Sequence, residues 1–165
     1  MLMFLIEEKK NISRWLSLNE FDKLMDEDVS LKKNCEFCNE VKFDIGDRTK
    51  YGATVVFKIG SSSNDGWFAT LSPRSGSNPE RDFTIQLMPF AHLTHFSQVA
   101  KHPKLSKNYG IAFSKLCEAM TKIMAEEPDF KAVNEKREEG GAVATYGKCT
   151  TWKDKKEHLH IKIYP

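Results

Sequence analysis

Glu157-His158-Leu159-His160-Ile161-Lys162-Ile163-Tyr164 decides the fold reading, because from His158 onward polar and apolar residues alternate without a break. Alternation at period two marks a half-buried β-strand, and β-branched Ile161 and Ile163 suit a pleated backbone. Side chains two apart then share a face. His158, His160 and Lys162 are therefore expected to point one way, and Leu159, Ile161 and Ile163 into a core. Two imidazoles beside an ammonium can handle a metal, a phosphate, or both.

Working back from that strand, further stretches rich in β-branched and aromatic residues recur. Tyr51–Ile59 (YGATVVFKI) reads as a strand, Ser61-Ser62-Ser63-Asn64-Asp65-Gly66 as a turn, and Trp67–Leu71 as its hairpin partner. A loop from Ser72 to Pro79 leads to a third alternating run, Asp82–Met88. Val143–Tyr146 is read as a strand returning toward the terminal one. Between these runs, from Leu105 to about Glu127, the period changes. Ile111, Leu116, Met120, Ile123 and Met124 fall on one side of a helix that Pro128 ends. Near the start, Ser17-Leu18-Asn19-Glu20 has the form of a capping box for a short helix running to about Met25. The expectation is an α+β domain over 35–165, preceded by a helical extension over 1–34.

Composition bounds what such a domain does. A chain of 165 residues with 40% hydrophobic residues can bury one core. A net charge of +2 lacks the concentrated basic runs of a dedicated nucleic-acid binder. The apolar start Met1–Ile6 is too short for a membrane span or a secretory segment, and Glu7-Glu8 stand where a cleavage site would lie, so a soluble cytoplasmic protein is expected. Of four cysteines, Cys35 and Cys38 form a close pair while Cys117 and Cys149 stand apart. That is closer to a metal half-site with free thiols than to a disulfide framework.

Cys35-x-x-Cys38 by itself leaves three readings open: two thiolates on one zinc ion, reduced structural thiols, or a disulfide. A zinc site needs two more ligands, drawn from His92, His95, His102, His158 and His160. Pro89-Phe90-Ala91-His92 closes a strand, so His92 can project from a sheet end, with His95 as its competitor. The terminal histidines likewise have two readings, as residues of a solvated strand or as a nucleophile or base for phosphoryl chemistry.

Taken in order, the cysteine pair, the strands, Pro-x-x-His, a long helix and His-x-His on a late apolar strand resemble the histidine triad (HIT) superfamily, including its hexose-phosphate uridylyltransferase branch. The resemblance spans about Cys35 to Tyr164. It implies a HIT-like fold: an antiparallel sheet of about five strands with a long helix packed on one face, in a homodimer. It implies a covalent nucleotidyl-histidine intermediate at His160, with Lys162 at the substrate phosphate and Asp65 and Trp67 entering the nucleotide pocket. It also implies structural zinc held by Cys35, Cys38, His92 and His158. The substrate would be a nucleotide or nucleotide sugar, and the activity nucleotidyl hydrolysis or transfer. Lys162 stands where the family has a third histidine, or glutamine in the transferase branch. The family's small-residue stretch before the triad has no counterpart in Lys148–Lys153. Lys162, with the stop at Pro165 directly after the motif, motivates an alternative, a catalytically weak or inactive zinc-stabilised nucleotide-binding or interaction protein.

Overall fold

A computed structural model of the chain describes residues 5–7, 13–15, 31, 33–72, 83–131, 135, 141–146 and 158–165. In the N-terminal extension, β1 (Leu5–Glu7) and β2 (Ser13–Trp15) pair antiparallel, with Leu5 opposite Trp15. The helix expected over 17–25 lies outside the described residues, as do Cys149 and the stretch 147–157. After a one-turn helix α1 (Glu36–Glu40) come β3 (Thr54–Ile59), β4 (Trp67–Leu71) and β5 (Ile85–Pro89), then a 3-10 turn over Phe96–Lys101. The long helix α2 (Pro103–Glu126) and a short 3-10 turn at Pro128–Phe130 lead to β6 (Ala142–Tyr146) and β7 (His160–Tyr164).

The five strands β3 to β7 form one antiparallel sheet in the order β3-β4-β5-β7-β6, matching the expected α+β class. The turn 60–66 closes the β3–β4 hairpin because Asp65 Oδ1 accepts the backbone N–H groups of Ser61 (3.0 Å) and Ser62 (2.7 Å). Such a carboxylate mimics a backbone acceptor and locks the turn. Strand β3 begins at Thr54 instead of Tyr51, since Thr49 N–H bonds Ala53 O (2.8 Å) and Gly52 N–H bonds Thr49 O (3.0 Å), folding that segment into a turn.

One sheet face carries Trp67, Ala69, Ile85, Leu87, Ile161 and Ile163, all buried against α2. The helix meets it with Leu105, Ala112, Leu116, Met120 and Met124. The last four recur every fourth residue and form one row along the helix. Ile111, expected in that row, lies a residue ahead of it and is 37% exposed. Ala112, fully buried, stands in the row instead. Burial of this face, at about 25 cal/mol per Å² of apolar surface, is the main favourable term holding helix to sheet. The other face of the sheet holds Phe68, Met88 and Phe90, covered by Phe37 and Val41 at and beside α1. No helix among the described residues is long and apolar enough to cross a membrane.

Two glycines separate what this packing demands from what it tolerates. A Cβ at Gly66 would come within 2.1 Å of the Phe90 ring, whereas one at Gly110, inside α2, meets nothing within 4 Å. Gly66→Ala should therefore destabilise the fold by about 1–3 kcal/mol. Gly110→Ala should stabilise it by about 0.5–1 kcal/mol, and urea unfolding of the two variants checks both signs.

Candidate functional site

Cys35 stands at the N-cap of α1 in extended conformation and Cys38 is in the helix, so the spacing of three brings both sulfurs to one side. Asn39 N–H bonds Cys35 O (3.1 Å) and closes the turn between them. From the β3 side, Lys58 Nζ donates to the carbonyls of Val41 and Phe43, both at 2.8 Å, fixing the exit of the helix. His92 follows β5, and His158 lies two residues before β7. These two segments are joined where Leu159 N–H bonds Leu93 O (2.7 Å). The ligand atoms of Cys35, Cys38, His92 and His158 all lie within 4.8 Å of one another.

Three contacts define the geometry of this cluster. His158 Nδ1 is 3.4 Å from Cys35 Sγ and 3.5 Å from Cys38 Sγ, and His92 Nδ1 is 3.5 Å from Cys38 Sγ. A tetrahedral ion with metal–nitrogen and metal–sulfur bonds of about 2.0–2.3 Å sets neighbouring ligands about 3.3–3.8 Å apart. These three separations match the edges of such a tetrahedron, and the remaining donor pairs lie within 4.8 Å. The cysteines are free thiols, so the disulfide reading falls away. The hydrogen bond from Cys38 holds the Cys35 thiol down to about 3 against its burial, and the bond to His158 acts in the same sense. A sulfur that ionises this readily is ready to ligate.

The imidazole of His158 is oriented from behind. Its Nε2 lies 3.1 Å from Pro89 O, and since a carbonyl only accepts, Nε2 carries the proton and Nδ1 the lone pair. A metal-binding histidine is typically held in this way by its other nitrogen. Pro89 and His92 of the Pro-x-x-His run therefore act together, one through its backbone oxygen and one through its ring. His158 is 0% exposed. Expected to share an open strand face with His160 and Lys162, it instead precedes β7, where α1 covers that face.

His160 and Lys162 are on the sheet face away from α2, both partly buried. His160 Nδ1 is 3.0 Å from His158 O, so Nδ1–H donates to the carbonyl and the lone pair falls on Nε2. Burial pushes His160 down to about 4, assisted by the Lys162 charge and opposed by the bond to the His158 carbonyl. Its ring is neutral at physiological pH. Burial also pushes the Lys162 ammonium down. The Phe37 ring packs against both histidines, with centroids 5.7 Å from His158 and 5.6 Å from His160, bridging the cysteine turn to the terminal strand.

The remaining expected residues stand elsewhere. Trp67 is fully buried on the α2 face, where Nε1–H donates to Leu105 O (2.9 Å) and the ring meets Tyr109 at 5.1 Å. Its aromatic surface is consumed by the core, which corrects the expectation that it faces a nucleotide. Asp65 closes the β3–β4 turn, and the Ser61 and Ser62 N–H groups lower its carboxyl. His95 precedes the 3-10 turn and is absent from the metal cluster. Phe37, Glu40 and Gln86 border the His160 side of the sheet without having been singled out in the sequence; alternation in β5 puts Gln86 on that face, whereas nothing local marks Glu40.

No family model matches the chain, and neither a curated protein nor a solved structure matches it at a significant level.

The cluster predicts about one bound metal per chain in protein purified without chelator, measured by plasma mass spectrometry. Cys35→Ser and His92→Ala should each lose that metal and lower the thermal midpoint, because metal binding and folding are coupled. His95→Ala should retain it. Retention of metal by His92→Ala together with loss by His95→Ala would reassign the ligand.

Proposed function

We propose that this chain is a HIT-like nucleotide-binding protein that transfers or hydrolyses a nucleotidyl group through a covalent intermediate on His160, with structural zinc behind it. One observation carries the reading: the neutral His160 ring is tethered at Nδ1 by the His158 carbonyl, which makes Nε2 the nitrogen that bears the lone pair, on the sheet face His160 shares with Lys162. A nitrogen fixed in this way is a competent nucleophile toward phosphorus.

In the first step Nε2 attacks the α-phosphorus of a nucleotide. A nitrogen–phosphorus bond forms, and the bond from phosphorus to the leaving oxygen breaks with its electron pair going to the leaving group. An acceptor oxygen then attacks phosphorus, gives up its proton to solvent, and returns the lone pair to Nε2. Water as acceptor makes a hydrolase; a sugar phosphate makes a transferase. Lys162 stabilises the phosphoryl oxygens, a role in which position and charge matter more than covalent chemistry.

The donor set favours zinc over harder cations, since two sulfurs and two nitrogens in tetrahedral array suit a borderline-soft ion. Cys35, Cys38, His92 and His158 would fill all four positions of a zinc ion, which would then tie α1 to the terminal strand in a structural role. A zinc-stabilised nucleotide-binding protein without turnover is the second reading, favoured by a lysine at position 162.

Intact mass spectrometry after incubation with nucleotides and nucleoside diphosphate sugars should show a nucleotidyl adduct on wild-type protein. His160→Gln should lose the adduct while keeping metal content and folding. Lys162→Met should lower kcat/KM on the order of 10- to 100-fold and still form some adduct, because it removes a stabilising charge and leaves the attacking atom. Unchanged turnover in His160→Gln contradicts the mechanism. Nucleotide binding without any adduct selects the second reading.

A further inference from the structure

Phe37 belongs to the cysteine turn and yet reaches the histidine strand. It stands between Cys35 and Cys38, half-buried, with its ring centroid 5.7 Å from that of His158 and 5.6 Å from that of His160. Successive residues of a helix are turned about 100° from one another, so the Phe37 ring leaves α1 in a different direction from the Cys38 sulfur beside it. Phe37 and Val41, four apart, share a side of the helix and pack on Phe68, Met88 and Phe90.

The bond from His160 Nδ1 to His158 O, at 3.0 Å, ties the imidazole at one atom. A ring tied at one nitrogen still turns about that bond, and the outer torsion of histidine is broad. Phe37 meets this imidazole at an interplanar angle of 44°, within the separation at which aromatic pairs attract, and so opposes the turning. The same phenyl ring meets His158 edge-on at 65°. His158 in turn lies 3.4 Å from Cys35 Sγ and 3.5 Å from Cys38 Sγ. Three rings thus run in series from the cluster to the strand. A helix of five residues has its place set by what it touches, and the two cysteines are the ends of the turn that carries Phe37. Holding the sulfurs holds the phenyl ring.

We infer that Phe37 is a positioning residue for His160, holding the imidazole in its tethered orientation, and that the cysteine turn makes this hold depend on an occupied metal cluster. The role goes beyond the nucleotidyl reading and stands apart from it, because it concerns how the ring is held and not what the ring attacks. If the tether is lost, Nδ1–H gives up its carbonyl partner and the proton redistributes to Nε2, which moves the lone pair to the wrong nitrogen. The competing role is that Phe37 only fills space over Phe68 and Met88. Val41, at the far end of α1, packs on the same residues and separates the two roles.

Nitrogen-15 NMR of the imidazoles in the zinc-loaded full chain reads the tautomer of His160 without any nucleotide present. Wild type should show His160 as a single Nδ1–H tautomer. Phe37→Leu keeps the apolar bulk over the sheet but offers no flat face to the imidazole. It should populate the Nε2–H tautomer and speed carbethoxylation of His160 by diethyl pyrocarbonate about two- to tenfold, the size of one aromatic contact. Phe37→Tyr should restore both readouts to wild type. Val41→Ala should lower the urea midpoint and leave both unchanged. Zinc removal by chelator, measured below the lowered thermal midpoint, should move the His160 signals in the direction seen for Phe37→Leu. Wild-type signals and reactivity in Phe37→Leu, equal changes in Phe37→Leu and Val41→Ala, or His160 signals unmoved by zinc removal overturn the inference. The nucleotidyl reading is tested apart from it, by the adduct on His160.

Discussion

The hydrogen bond between His158 and the Pro89 carbonyl is the constraint on which the rest of the site depends. It fixes the tautomer, aims Nδ1 at two sulfurs, and does so in a fully buried position where an unsatisfied ring nitrogen would be costly. His158 also lends its backbone oxygen to His160, so one residue orients both the cluster and the strand histidine. Ring and carbonyl of the same residue therefore tie the cysteine–histidine cluster to the strand histidine.

That coupling explains the layered arrangement. The α2 face of the sheet is apolar and closed by side chains spaced four apart, while the opposite face is held by a helix of five residues. So short a helix has little stability of its own. It is anchored instead by Lys58 at its exit, by Phe37 and Val41 against the sheet, and by the cysteine pair at its entrance. A metal ion would add the remaining tie between residues more than a hundred apart in sequence, where a crosslink restrains the unfolded chain most.

Much of this was legible in the sequence because it is written in short-range pattern. The turn at 61–66 located Trp67–Leu71 as a hairpin strand, alternation located His160–Tyr164, and Pro128 correctly marked where α2 stops. The cysteine pair, Pro-x-x-His and the first histidine of the terminal run named all four members of the cluster. What was not legible depends on which face an element buries. Ile111 reads as a core residue until the row containing Ala112 is seen to meet the sheet. His158 reads as part of an open face until α1 is seen to cover it. Trp67 has the chemistry of a ligand-stacking residue, but its position on the α2 face decides otherwise. Glu40 and Thr49 carry no local signal at all, since their burial beside one cavity is set by tertiary packing.

The central claim is that Cys35, Cys38, His92 and His158 form one tetrahedral metal centre that organises the histidine strand. X-ray absorption at the zinc edge of the loaded protein tests it most directly. The account predicts two sulfur neighbours at about 2.3 Å and two nitrogen neighbours at about 2.0–2.1 Å, with imidazole scattering from both histidines. A shell made only of oxygen and nitrogen, or one with more than two sulfurs, would contradict it.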